Sequence, residues 1–72
     1  MTDNIDAIIF SRRLRTIVYD RGLSTEYLAY KTGTTKAAVY KWLEGYHMPN
    51  LSSLYKLRGA LGVTWGELLG EV

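Results

Sequence analysis

The chain contains no cysteine, and only one proline, one histidine and one phenylalanine. Without cysteine, neither a disulfide nor a thiolate zinc site can staple the fold, and a reducing compartment suits the composition. With His47 as the lone histidine, metal binding has no ligand cluster, and no carboxylate pair sits on an evident cleft. Walker and dinucleotide-type glycine motifs are also missing. No apolar run reaches the roughly 18–20 residues that a membrane span needs. The start, Met1-Thr2-Asp3-Asn4-Ile5-Asp6, is acidic and polar where a secretory signal would be basic and then apolar. These absences predict a cytoplasmic protein that is not an enzyme and carries no cofactor, metal or small-molecule ligand.

What is present fits one domain over residues 1–72, and a chain this short buries only about 60% of its unfolded surface. Its 47% hydrophobic content suffices for one compact cluster. The net charge of +2 says little, but its distribution says more. Between Phe10 and Met48 seven Lys or Arg stand against Asp20, Glu26 and Glu44. Before that stretch lie Asp3 and Asp6 without a base, and after Arg58 only Glu67 and Glu71. A positive middle suits an anionic partner, although an ordinary solvated surface shows the same pattern.

No segment alternates with the two-residue period of a strand, and the glycines punctuate five helical intervals. The first opens with a cap at Asp3 or Asn4, carries Ala7, Phe10, Leu14, Ile17 and Val18 on one stripe, and stops at Gly22. Ser24 caps a second helix to about Thr32, with Leu28 and Ala29 inward. Gly33-Thr34-Thr35 then leads into a third, from about Lys36 to Glu44, with Val39, Trp42 and Leu43 inward. Asn50 caps a fourth carrying Leu51, Leu54, Leu57 and Leu61. Thr64-Trp65-Gly66-Glu67 has capping-box spacing and starts a fifth with Leu68 and Leu69. Tyr19, Tyr27, Tyr30 and Tyr55 read as half-buried rims of a thin core. The fold class is therefore all-α, a five-helix bundle.

The segment from Thr25 to Glu44 carries the functional signal. Two short helices about four residues apart must cross steeply to bury their apolar sides, and that crossing needs small residues. Ala29 and Gly33 supply them, while Val39 and Trp42 return bulk to the junction. This spacing resembles the helix-turn-helix of bacterial and phage repressors. Phe10-Ser-Arg-Arg-Leu14, Gly22-Leu23-Ser24, Val39-Tyr40-Lys41-Trp42, Gly45, Pro49-Asn50-Leu51 and Ala60-Leu61-Gly62-Val63 extend the likeness. Over about residues 10–69 the chain resembles the lambda Cro/C1-type (Xre-like) family.

The resemblance implies a lambda-repressor-like bundle whose third helix enters the major groove of double-stranded DNA. With Val39, Trp42 and Leu43 inward, the outward face shows Lys36, Ala37, Tyr40, Lys41 and Glu44. A lysine there can donate to guanine O6 and N7, and the Ala37 methyl can meet a thymine methyl. Thr35, Lys36, Ala37, Tyr40 and Lys41 are thus the candidate base contacts, though an ordinary solvated helix side would look similar. Helix N-termini favour phosphate, and family members typically touch it at the position of Thr25. Ser24, Thr25, Tyr46, His47 and Asn50 are the candidate phosphate contacts; plain capping or loop roles compete for each. Relatives dimerise through C-terminal elements, so Trp65, Leu68, Leu69 and Val72 are candidates for a symmetric interface, with core packing the competing account for Leu68.

The chain departs from the family in two ways. Many relatives pair an arginine late in the first helix with an acid in the third, where this chain has Val18 and Leu43. The glutamines common on the contact face are also missing. The expected function is a sequence-specific transcriptional regulator, a phage or bacterial repressor that dimerises on a pseudo-palindromic operator. Its length suits a complete Cro-like protein, with the DNA-binding domain of a longer regulator as the alternative. An autorepressing antitoxin, or a helix-turn-helix used as a protein-binding adaptor, are the rival functions.

Overall fold

The computed structural model describes residues 3–70. Five helices follow one another: α1 (Asp3–Arg21), α2 (Thr25–Thr32), α3 (Lys36–Leu43), α4 (Leu51–Leu61) and α5 (Trp65–Leu69). Among the described residues there is no strand, and no helix is long and apolar enough to cross a membrane.

Local chemistry sets most of the boundaries. Each helix start has four amide groups without an intrahelical partner, and a short polar side chain can accept from one of them. Ser24 Oγ accepts from Tyr27 N at 3.0 Å, Thr35 Oγ1 from Ala38 N at 3.1 Å, and Asn50 Oδ1 from Ser53 N at 2.8 Å. The expected capping box is formed: Glu67 N donates to Thr64 Oγ1 at 3.1 Å and Thr64 N donates to Glu67 Oε1 at 2.8 Å. Asp3 and Asn4, expected as caps for α1, already belong to the helix. At helix ends the amide beyond each glycine folds back on the last turn, as in Thr34 N to Ala29 O at 2.9 Å and Tyr46 N to Lys41 O at 2.9 Å.

α1 packs on α3 and α5, and α2 on α3 and α4. Their shared core holds Phe10, Leu14, Leu28, Ala29, Val39, Trp42, Leu43, Leu57, Leu61, Val63 and Leu68. Ile17 and Val18 are half-buried against it. Two expectations need correction. Leu51 is 67% exposed, because steps of three along a helix each rotate the side chain by roughly 60° off the stripe. Ser53, four residues before Leu57, takes the inward position instead. Two of the four tyrosines expected as half-buried rims are not: Tyr19 and Tyr30 are 87% and 81% exposed, while Tyr27 and Tyr55 are partly covered. In α2 the inward side is taken by Leu28, Ala29 and Thr32, which leaves Tyr30 facing water.

Gly45 lets the end of α3 lie against α1. Its φ is +82°, and a Cβ there would sit 3.2 Å from Ser11 Oγ and 3.4 Å from the backbone at Ile8 Cα. Gly59, by contrast, is helical with open space around it. Gly45→Ala should therefore cost about 1–2 kcal/mol or more from left-handed strain alone. A drop in melting temperature of roughly 5–15 °C should follow in a domain of this size. Gly59→Ala should gain about 0.5–1 kcal/mol. Thermal denaturation followed by circular dichroism checks both signs.

Candidate nucleic-acid interface

α2 and α3 meet through side chains that leave one side of α3 open. Ala29 is 6% exposed, Val39 is fully buried and Trp42 is 5% exposed, so the junction is closed. At the end of α2, Thr32 Oγ1 donates to Leu28 O at 2.7 Å and lies 2.8 Å from Thr34 Oγ1 in the turn. These bonds and the left-handed Gly33 (φ +68°) hold the turn in a fixed shape.

With that side closed, Thr35, Lys36, Ala37, Tyr40, Lys41 and Glu44 are all exposed. They form the accessible ridge that the apolar spacing predicts. Lys36 Nζ lies 3.4 Å from Glu26 Oε2, which brings the first turns of α2 and α3 together. The N-terminus of α2, with Ser24 and Thr25, therefore borders the start of the ridge. Both side chains of this ion pair are more than half exposed, so it is worth no more than about 0–1 kcal/mol. A base contact worth about 1–3 kcal/mol can displace it.

Capping does not use up these groups. A hydroxyl oxygen that accepts from an amide still has its own O–H to donate, and an asparagine that accepts through Oδ1 keeps its NH₂. Ser24, Thr35 and Asn50, all exposed, can thus cap a helix and donate to a phosphate together. Thr25 is half-buried. Tyr46, His47 and Asn50 are exposed in the segment that follows α3.

The C-terminal candidates separate. Leu68 is fully buried in its own bundle, where α5 packs on α1, so it is not a surface residue. Trp65 and Leu69 are half-buried. They line a shallow apolar cleft of about 400 Å³ with Leu51, Leu54 and Tyr55. Tyr55 meets the Trp65 ring edge-on at 5.1 Å, and the Arg58 guanidinium lies over the same ring at 5.1 Å. Val72 lies outside the described residues. Among those residues no cluster of three His, Cys, Asp or Glu is placed to hold a metal.

Val18 and Leu43 border one cavity at the α1–α3 seam. Sequence reasoning missed the arginine one turn earlier. Arg15 Nη1 donates to Leu43 O at 3.0 Å, a contact between residues 28 apart that no local pattern announces.

A closed two-helix junction with a polar ridge on its open side defines a helix-turn-helix of DNA-binding type. The family model described as helix-turn-helix matches residues 12–68, and the chain belongs to that family, of Cro/C1 type. It is a DNA-binding helix-turn-helix regulator, and the family is a regulatory rather than an enzyme family. No curated protein and no solved structure matches the chain.

The energies above separate structural from peripheral groups. Thr35→Ala should lower stability by about 1 kcal/mol through loss of the cap. Glu26→Gln should change it by less than about 0.5 kcal/mol, since the pair it breaks is solvated. Urea denaturation of the two variants checks the contrast.

Proposed function

We propose that the chain is a sequence-specific transcriptional repressor of the phage or bacterial Cro/C1 kind, its 72 residues acting as one folded unit. Two copies bind a pseudo-palindromic operator, each laying α3 in the major groove. The observation that carries this reading is the ridge from Thr35 to Glu44. Its buried partners force Lys36, Ala37, Tyr40 and Lys41 outward together. Lys36 and Lys41 donate to base edges, the Ala37 methyl allows close approach, and Tyr40 reaches a base edge or phosphate.

Phosphate contacts from Ser24 and Thr25 flank one end of the ridge, and those from Tyr46, His47 and Asn50 flank the other. A second copy seats on the apolar cleft of Leu51, Leu54, Tyr55, Trp65 and Leu69. In that dimer the two recognition helices lie about 34 Å apart, one turn of B-DNA.

Fluorescence anisotropy on random and selected duplexes across a salt series tests the reading. Affinity should fall with a log–log slope near −0.9 per phosphate neutralised. Lys36→Ala should shift base preference, costing about 1–3 kcal/mol at one position of the selected site. Thr25→Ala should weaken all duplexes alike. Salt-insensitive or undetectable duplex binding would defeat the proposal and favour a protein-binding role for the same fold.

A further inference from the structure

We propose that Arg15 is a positioning residue for the recognition helix: it holds the C-terminal end of α3 against α1 and so sets the angle at which the ridge meets DNA. This rests on the DNA-reading role of α3 proposed above.

A helix leaves its last four carbonyls without intrahelical partners. In α3 the chain's own backbone satisfies three of them. Glu44 N donates to Tyr40 O at 2.8 Å, Tyr46 N to Lys41 O at 2.9 Å, and Gly45 N to Trp42 O at 3.3 Å. The fourth, Leu43 O, accepts from Arg15 Nη1 at 3.0 Å, and this bond is partly shielded from water. A guanidinium at a helix C-terminus also meets the negative end of the helix dipole. The bond is therefore charge-assisted on both counts.

Packing leaves one flank of this end open to a surface cavity. The α1–α3 seam contains an open, largely apolar cavity of about 640 Å³, bordered by Val18, Leu23, Tyr40 and Leu43 as well as Arg15. Val39 anchors the middle of α3, Trp42 and Leu43 bury its last turn, and Gly45 lies close to α1, so on the cavity flank the Arg15 bond is the polar link between α1 and the end of α3. Tyr40 stands on both the ridge and the cavity wall, so a tilt there moves a candidate base contact. The Arg15 bond spans that gap. Phosphate contacts at the start of α2 do not depend on it.

Arg15→Met keeps the aliphatic stem and removes the donor; Arg15→Lys keeps a charged donor that suits a single hydrogen bond. Two measurements on the full chain test the proposal. By amide hydrogen exchange, Arg15→Met should speed exchange at Gly45 and Tyr46 by roughly threefold to tenfold relative to Leu57 and Leu61 in α4. In anisotropy, Arg15→Met should lower the preference for a selected duplex over a random one about tenfold, the worth of one misplaced base contact. Random-duplex affinity should stay within about twofold, because its phosphate contacts are untouched. Arg15→Lys should restore most of both effects.

Unchanged exchange at Gly45 and Tyr46 would overturn the proposal. So would an equal loss on both duplexes with the salt slope reduced by about 0.9, the mark of a direct phosphate contact. A wild-type chain with no duplex preference would instead defeat the proposed function, and the exchange measurement would then decide the Arg15 clamp alone.

Discussion

Burial of Val39 and Trp42 at the α2–α3 junction is the constraint on which the other features rest. α3 is only 8 residues long, too short to be stable alone, so packing rather than propensity keeps it helical. Once those two side chains and Leu43 are inside, helical geometry leaves no choice about the opposite face. Lys36, Ala37, Tyr40 and Lys41 must point out. The same burial requires a small residue at Ala29 and a left-handed one at Gly33, which ties the turn to the ridge. The shape of the turn and the exposure of the ridge thus follow from one packing event.

Much of the clustered positive charge is engaged within the fold. Several of the basic side chains in and after α1 serve helix ends. Arg13 donates to Glu67 O and Gly66 O at 3.2 and 3.3 Å and Arg15 to Leu43 O, while Arg58 donates to Val63 O in the α4–α5 connection at 3.2 Å. Lys56 and Arg21 also approach helix ends: a Cβ on Gly33 would lie 3.9 Å from Lys56 Nζ, and one on Gly62 3.7 Å from Arg21 Nη1. A helix C-terminus holds about half a negative charge. Short helices in a thin core have many such ends per residue, so they draw on cations that a larger protein would leave to its surface. A net charge of +2 distributed this way gives the ridge modest long-range attraction.

Relatives are expected to place an ion pair where Val18 and Leu43 stand. Here both side chains border a cavity, and a neutral seam takes the place of a buried pair. Exchanging such a pair for apolar groups often costs nothing in stability. The arginine that bridges this seam comes from position 15 and bonds a carbonyl instead of a carboxylate. One function of the missing pair, linking α1 to the end of α3, is thus met by a different bond.

The sequence alone marked where the five helices start and stop, because capping side chains and glycines act over three to five residues and can be read in order. Ser24, Thr35, Asn50 and Thr64 each bond the amide that their spacing predicts. It also determined the ridge, through the period of Val39, Trp42 and Leu43. Tertiary structure alone decided which apolar residues stay outside, as with Leu51, and which candidate belongs to the core, as with Leu68. It also decided which cations serve helix ends. Those outcomes depend on the relative angles of helices far apart in the chain, and no local spacing encodes an angle between elements that meet only on folding.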